Sequence, residues 1–343
     1  MTRLSVCIAT FNRSKFIGET LDGLMAQAPP DLEVVVLDGG STDATEQIVS
    51  DYARRYPAVR YFRQPTNMGV DRDFDNAVQR ATGEYCWLMS DDDLLKPGAL
   101  QRVVEETARG YDLIIVNAES RTNDLSSVLI PNLLKLDEDR TYGAADGDRL
   151  LGDTGRYLSF IGGVVIKRSR WNARAREPYF GSLFIHVGVI FQAPLASVLV
   201  IADPLVVIRY GNAMWTSRGF EIWMFKWPWL IWSFNGFSDA AKTSVTTRQP
   251  WRKATTLMLF RARGAYAWAD YRRWLHGACR SAAERLMCVA VALTPGALAH
   301  AMVTFYMTRR HPEPAVALFE LRHSRFHYAH YLSGIRRFFT REA

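Results

Sequence analysis

The chain has 343 residues, enough for one large domain and a smaller one, and its 48% hydrophobic and 22% charged residues exclude a disordered chain. Four cysteines without a CxxC pair exclude a disulfide framework and read as buried free thiols of a reducing compartment. The net charge of +7 is uneven: residues 211–343 hold 19 Lys/Arg against 7 Asp/Glu, and residues 1–210 hold 23 against 28. An acidic front half without a nucleic-acid motif disfavours nucleic acid as the partner.

In chain order, Leu4–Thr10 reads as a buried strand that opens into Phe11-Asn12-Arg13. A strand so close to the start leaves no room for a signal peptide. A helix is predicted over 15–27. The next strand, 33–37, opens into Asp38-Gly39-Gly40-Ser41-Thr42-Asp43. Asp43 followed by Glu46 forms a capping-box pattern for a helix over 45–56. A third strand, Tyr85–Met89, runs into Ser90-Asp91-Asp92-Asp93 before Pro97. Alternating strands and helices predict a mainly parallel α/β sheet, in which ligands bind beyond the carboxyl ends of the strands. Three consecutive carboxylates at such an end repel one another unless a cation joins them. Hard divalent ions such as Mg²⁺ or Mn²⁺ suit oxygen ligands, and Mg²⁺ is often completed by a substrate's phosphates.

These pieces carry a resemblance. Val6-Cys7-Ile8-Ala9-Thr10-Phe11-Asn12-Arg13, Asp38-Gly39-Gly40-Ser41-Thr42-Asp43, Asn67-Met68-Gly69, Ala81-Thr82-Gly83-Glu84-Tyr85 and Ser90-Asp91-Asp92-Asp93 occur in the order of the family 2 glycosyltransferases with a GT-A fold. The Ser-Asp-Asp-Asp variant is similar to the abequosyltransferase-like branch that decorates lipid-linked bacterial surface glycans. Weaker resemblance continues through 160–168 and 204–209 to about Trp215, so the catalytic domain is expected to span 1–215. The resemblance implies an inverting, metal-dependent transfer of a sugar from a nucleotide-sugar donor. It implies donor contacts from Ala9, Thr10, Phe11, Arg13 and Gly39, and an Asp38 carboxylate that accepts from a base N–H. Asp92 matches the principal ligand of Mg²⁺ or Mn²⁺, flanked by Asp91 and Asp93, and Asp91 also lies on the donor side. Arg72 is placed to pair with the donor diphosphate. Where many members carry a further Asp, this chain has Ser90. Where inverting members carry a carboxylate base, it reads Gly181-Ser182-Leu183-Phe184-Ile185-His186-Val187-Gly188. His186 stands in that slot and a neutral imidazole is a competent base. Asp153 and Glu177 are the reserves.

The region 216–343 is expected to be helical, basic and membrane-associated. Eight of ten tryptophans fall in 211–343, most densely in Trp223-Met224-Phe225-Lys226-Trp227-Pro228-Trp229-Leu230-Ile231-Trp232-Ser233-Phe234. Aromatic rings mixed with cations suit an anionic membrane surface. Residues 286–307 carry no Asp, Glu, Lys or Arg, but Thr294-Pro295-Gly296 breaks them into two helices too short to span a bilayer. A hairpin lying in one leaflet is expected. His323, His327 and His330 share one predicted helical face. The whole chain reads as a peripheral or monotopic enzyme on the cytoplasmic face of the inner membrane. Its expected acceptor is a polyprenyl-diphosphate-linked oligosaccharide. Self-association through the C-terminal helices is a further expectation. The competing readings are a soluble or polymeric acceptor, and a non-catalytic nucleotide-sugar-binding protein.

Overall fold

A computed structural model describes residues 3–212, 218–310 and 315–327. The apolar runs become the middle of one sheet. Its strands are β1 (Leu4–Thr10), β2 (Glu33–Asp38), β3 (Val59–Arg63), β4 (Tyr85–Met89), β5 (Leu94–Leu95), β6 (Leu113–Thr122), β7 (Val128–Ile130), β8 (Arg140–Gly143), β9 (Val164–Lys167) and β10 (Ser197–Tyr210). The order is β3-β2-β1-β4-β9-β6-β10-β5, with β7 on β6 and β8 on β10. β1 to β4 are parallel, β9 runs antiparallel to both β4 and β6, and β10 is parallel to β6. The carboxyl ends of β1, β2, β4, β6 and β10 therefore share one edge. Every residue of β1, β2 and β4 is buried, as expected of a parallel sheet covered on both faces.

The helices of this part are α1 (Ile17–Met25), α2 (Thr45–Arg55), α3 (Val70–Arg80), α4 (Ala99–Thr107), α5 (Gly147–Thr154), α6 (Arg168–Asn172) and α7 (Ile185–Phe191). Each turns its apolar stripe inward, α1 through Ile17, Leu21 and Leu24, and α3 through Phe74, Ala77 and Val78. The start of α2 differs in detail from the capping-box pattern. Asp43 accepts from the Thr45 backbone N–H at 3.0 Å, but Glu46 turns outward to the Arg63 guanidinium at 3.0 Å. The cap is one-sided because Arg63, at the end of β3, competes for the Glu46 carboxylate.

The chain divides into two compact units, one of residues 1–210 with 230–245 and one of residues 211–229 with 246–343. The return of 230–245 to the first unit has no counterpart in the sequence pattern. There Phe234 and Phe237 pack on Phe191 of α7. The second unit is helical. Phe220, Met224, Trp251, Leu257, Phe260, Tyr266, Tyr271 and Leu275 form its core with Cys279 and Cys288. All four cysteines are free and buried. The helices Ala282–Leu293 and Gly296–Arg310 meet at Thr294-Pro295 with a bend of 100°. A last helix ends at Arg322, so His323 and His327 fall beyond it, and His330 lies outside the described residues.

Candidate active site

The site is built from loops at the shared carboxyl edge. β1 ends at Thr10 and the chain turns through Asn12, whose left-handed backbone (φ +56°) is stabilised by two bonds to the next loop. The Asn12 N–H donates to the Ser41 hydroxyl at 2.9 Å, and its Oδ1 accepts from the Thr42 N–H at 2.7 Å. The loops after β1 and β2 are thus one stitched surface, with Phe11 partly exposed on it. Gly39 is required there. A Cβ at that position would lie 3.0 Å from the Asp73 carboxylate and 3.7 Å from the Phe11 ring.

Asp38 takes a different place from the one expected. It is fully buried, its Oδ1 accepts from the Ser41 N–H and hydroxyl at 2.7 Å each, and its Oδ2 accepts from the Tyr61 hydroxyl at 2.7 Å. The carboxylate is committed to shaping its own turn and turns no open face to a nucleotide base. Burial and the Asp38 charge push the Tyr61 phenol far up.

The aspartate triplet divides three ways. Arg13 is the hub: its Nε donates to Asp91 Oδ1 at 3.0 Å and its Nη2 to Asp92 Oδ2. Asp93 turns away from the rim, and its Oδ1 accepts from the Arg209 backbone N–H at 3.0 Å, because β10 passes directly beneath. Arg209 staples this floor. Its guanidinium donates to the Asp92 carbonyl at 3.1 Å, the Asn123 carbonyl at 2.8 Å and the Glu19 carboxylate at 2.5 Å. Arg13 and Arg209 both stack on the Phe16 ring, at 4.8 and 5.2 Å. Burial, then the charge of Asp92, pushes Asp91 up to about 6, and Asp93 rises well above the ordinary range for the same two reasons.

The start of α3 adds two carboxylates that motif reading missed. Asp71 and Asp73 are both buried. Asp73, beside Gly39 and Gln64, is pushed up to about 6, chiefly by burial and then by the charges of Asp38 and Asp71. Among the described residues, this edge buries six aspartates (38, 71, 73, 91, 92 and 93) against two arginines, Arg13 and Arg209. That excess suits an incoming cation. No three or more His, Cys, Asp or Glu side chains among the described residues are arranged to hold an ion by themselves. The donor set fits a hard divalent ion that brings further oxygen ligands from a diphosphate, with Asp92 and Asp91 as the protein's share. Asp93 has one oxygen bonded to the β10 backbone, as Asp91 and Asp92 each have one bonded to Arg13.

The remaining candidates separate. The Arg72 guanidinium lies 4.3 Å from the Phe180 ring centre. His186 is 1% exposed inside α7, and its Nε2 is bonded to the Leu158 carbonyl at 2.7 Å. Burial pushes it down to about 4, so it is neutral at pH 7 but sealed from any substrate. In this structure it sits as a buried histidine bonded to the Leu158 carbonyl. Asp153 accepts from the Tyr142 hydroxyl at 2.8 Å. Tyr142 belongs to β8, which pairs with the first residues of β10, at the sheet edge opposite the triplet. Glu177 is exposed near Arg72 and Phe180, and backbone N–H groups, then Arg176 and Arg72, hold it below the usual carboxylate range.

The comparisons with known proteins agree with this geometry. Residues 5–134 match the sequence model of Glycosyl transferase family 2. An abequosyltransferase of Salmonella typhimurium is 27% identical over 230 residues, which cover 63% of this chain and 69% of that protein. A Campylobacter jejuni protein named GalNAc(5)-diNAcBac-PP-undecaprenol beta-1,3-glucosyltransferase is 30% identical over 118 residues, but the match spans only 38% of its length. Among solved structures, S. aureus TarS in complex with UDP superposes with a TM-score of 0.55 at 16% identity, covering 88% of this chain and 87% of that one. Its complex with UDP-GlcNAc gives 0.52 at 17% identity, covering 84% and 79%. These likenesses establish the GT-A type of α/β fold.

Proposed function

Residues 5–134 make this chain a family 2 glycosyltransferase, and on that premise we propose that it transfers a sugar from a nucleotide-sugar donor to a lipid-linked bacterial glycan, with inversion. The observation that carries the reading is the excess of buried carboxylate at the carboxyl edge, which suits a donor diphosphate accompanied by a divalent cation. The acceptor class is taken from the Campylobacter jejuni relative, whose name carries a PP-undecaprenol-linked glycan.

The chain's own groups divide the work. Phe11 and Gly39, with Thr10 and Ala9 behind them, line the nucleotide end, while Asp38 holds their turn in shape. Asp92 and Asp91 hold Mg²⁺ or Mn²⁺, which when bound neutralises charge developing on the leaving diphosphate. Arg13 pairs with both carboxylates and holds them oriented until the donor arrives. Removal of the acceptor proton falls to an exposed, ionised carboxylate, and Glu177, exposed beside Arg72, is chosen over Asp153, which is bonded to the Tyr142 hydroxyl.

Membrane contact lies in a different place from the tryptophan cluster. Met224, Trp227, Leu230, Ile231 and Phe234 are all buried, so most of that cluster is core. Trp229 of the cluster is exposed, and on the bent helix pair the exposed large apolar residues are Leu286 and Leu293 on one helix and Leu298, Met302, Phe305 and Tyr306 on the next. Arg285 and Arg309 bracket them. No single helix among the described residues is long and apolar enough to cross a membrane, and the bent pair passes by length and composition only together. The hairpin lies in one leaflet with its arginines at anionic headgroups, the geometry expected of a monotopic enzyme.

The test is a thermal-shift screen of UDP-, GDP-, CDP- and dTDP-sugars with and without Mn²⁺, since a ligand of the folded state raises the melting temperature. The stabilising donor is then offered with a synthetic polyprenyl-diphosphate oligosaccharide and with the same oligosaccharide unlinked. Metal-dependent stabilisation and transfer to the linked acceptor are expected. Equal transfer to the unlinked glycan would reassign the acceptor to a soluble class. Stabilisation without transfer or donor hydrolysis would leave only a sugar-nucleotide-binding protein.

A further inference from the structure

The loop 181–185 is held by one carboxylate. Asp71, in the first turn of α3, is 3% exposed. Its Oδ2 accepts from the Gly181 N–H at 2.8 Å and the Leu183 N–H at 2.9 Å, and its Oδ1 accepts from the Ile185 N–H at 3.0 Å. Three amides from alternate residues converge on it because the backbone doubles back at Gly181 (φ +85°) and again at Leu183 (φ +74°). A left-handed leucine is unfavourable by about 1–2 kcal/mol and persists only where its surroundings over-determine it. The Asp71 carboxylate is that surrounding, since charge-assisted bonds to backbone N–H groups are roughly twice as strong as neutral ones.

The same turn of α3 reaches the other way. Asp73 abuts Gly39 of the nucleotide loop, and Arg72 between them stacks on Phe180, the residue before the braced loop. One helical turn therefore touches the donor loop with one carboxylate and the loop 181–185 with the other. The nucleotide loops belong to β1 and β2. The braced loop leads into α7, whose His186 is bonded to Leu158. The short helix of Leu158 is bonded in turn, through Tyr157, to the Val116 carbonyl of β6. β9 and β6 stand on the far side of β4 from β1 and β2 in the strand order, away from the nucleotide loops.

We propose that Asp71 is a positioning residue for the acceptor: it fixes the loop 181–185 as the acceptor-side wall of the crevice while leaving donor binding to the loops of β1 and β2. This rests on the glycosyl-transfer reading above, and it adds a residue with no role in that chemistry. Asparagine at 71 keeps the size and one accepting oxygen but replaces the other with an NH₂ group facing amides that themselves donate, so the loop loses either the bond to Ile185 or the pair to Gly181 and Leu183, and with it the charge. Leu183→Gly removes the left-handed penalty and lets the loop hold its path with fewer bonds.

The experiment compares wild type, Asp71→Asn and Asp71→Asn/Leu183→Gly in three measurements. These are thermal shift with UDP, GDP, CDP and dTDP, sugar transfer to the polyprenyl-diphosphate oligosaccharide, and amide exchange at 183 and 185. For Asp71→Asn, nucleotide-induced stabilisation is expected to be unchanged. Transfer is expected to fall by ~100-fold, the cost of a misplaced wall, mainly through the acceptor KM. Amides 183 and 185 are expected to lose protection, and the double variant to recover part of the transfer. Parallel loss of nucleotide stabilisation and transfer would reduce Asp71 to a fold residue and overturn the proposal. Retained protection of both amides would overturn it as well, whatever the activity. If wild type itself transfers to no acceptor, the functional reading fails first, and amide exchange at constant nucleotide stabilisation still decides the brace.

Discussion

The two units break the same rule in opposite directions. The first hides charge: six aspartates and two arginines are buried where the strands end. The second exposes apolar surface: Leu286 is 71% and Phe305 61% accessible on helices whose other faces pack normally. Buried charge and exposed large apolar groups are the departures from ordinary folding that carry information, because each is unfavourable in an isolated globular protein. At the carboxyl edge the disfavoured feature is a surplus of one sign, and a cationic ligand relieves it. On the hairpin it is unsatisfied apolar area. The comparison teaches that the two units depart from ordinary folding in opposite ways; on the proposed reading an ion-bearing nucleotide would relieve one and a membrane surface the other.

The largest effects are expected where the buried charge meets the reaction. Asp92→Asn keeps the shape and removes one negative charge, so turnover should fall by at least ~100-fold, while the melting temperature holds because the repulsion with Asp91 and Asp93 is eased. Glu177→Gln should fall by ~10²–10⁴-fold, the range for a lost general base, with donor affinity intact. Steady-state rates alongside thermal melts check both. Full wild-type activity in EDTA would break the cation half of the comparison.

A smaller effect is expected on the exposed apolar half. Leu298→Glu with Phe305→Glu should weaken binding to anionic vesicles by at least ~10-fold, since burying one such side chain is worth about 1.5–3 kcal/mol. Donor hydrolysis should be unchanged. Vesicle flotation at low and high salt separates the apolar part, which salt leaves in place, from the part due to Arg285 and Arg309, which it screens. If the double variant binds vesicles normally but sediments as a smaller species than wild type, the face belongs to a second copy of the chain and the contrast must be redrawn.

The sequence made legible what lies within a few residues. Strands β1, β2 and β4, the turn 38–43 and the triplet Asp91 to Asp93 are local patterns, and each falls at the predicted edge. The break at Thr294-Pro295-Gly296 was equally local. What was not legible depends on contacts distant in the chain. Arg209 sits 116 residues from the Asp93 it supports, and nothing in Val206-Val207-Ile208-Arg209 distinguishes it from an edge-strand cation. Asp38 carried the motif but lost its open face to Tyr61, 23 residues away. Asp71 and Asp73 had one available signal: two acids in the first turn of a helix that follows a glycine turn. Composition also cannot tell which side of a helix is covered. Trp227 is buried and Trp229, two residues on, is exposed.

The smallest effect on rate is expected at His186, and it sharpens the contrast between charged edge and neutral core. His186→Gln keeps a donor for the Leu158 carbonyl and should fall well short of the ~10²-fold loss of a general base, because the ring is buried and its Nε2 is bonded to that carbonyl. Its effect should appear instead in stability against pH. The fold holds His186 near 4 from an ordinary 6.5, through burial first and against the Leu158 bond. Between those values the unfolded chain takes up a proton that the fold refuses, so the His186 contribution is full above pH 6.5 and is lost as pH falls toward 4. Asp91 and Asp73, raised to about 6, act in the opposite sense over the same window: the fold takes up their protons first, so acidification favours it. The whole-protein profile mixes the two signs, and the difference between wild type and His186→Gln isolates the histidine. Denaturant melts from pH 7.5 to 4.5 should show the variant losing less stability than wild type. A variant that parallels wild type across that range, with turnover collapsed, would take His186 out of the core and return it to the reaction.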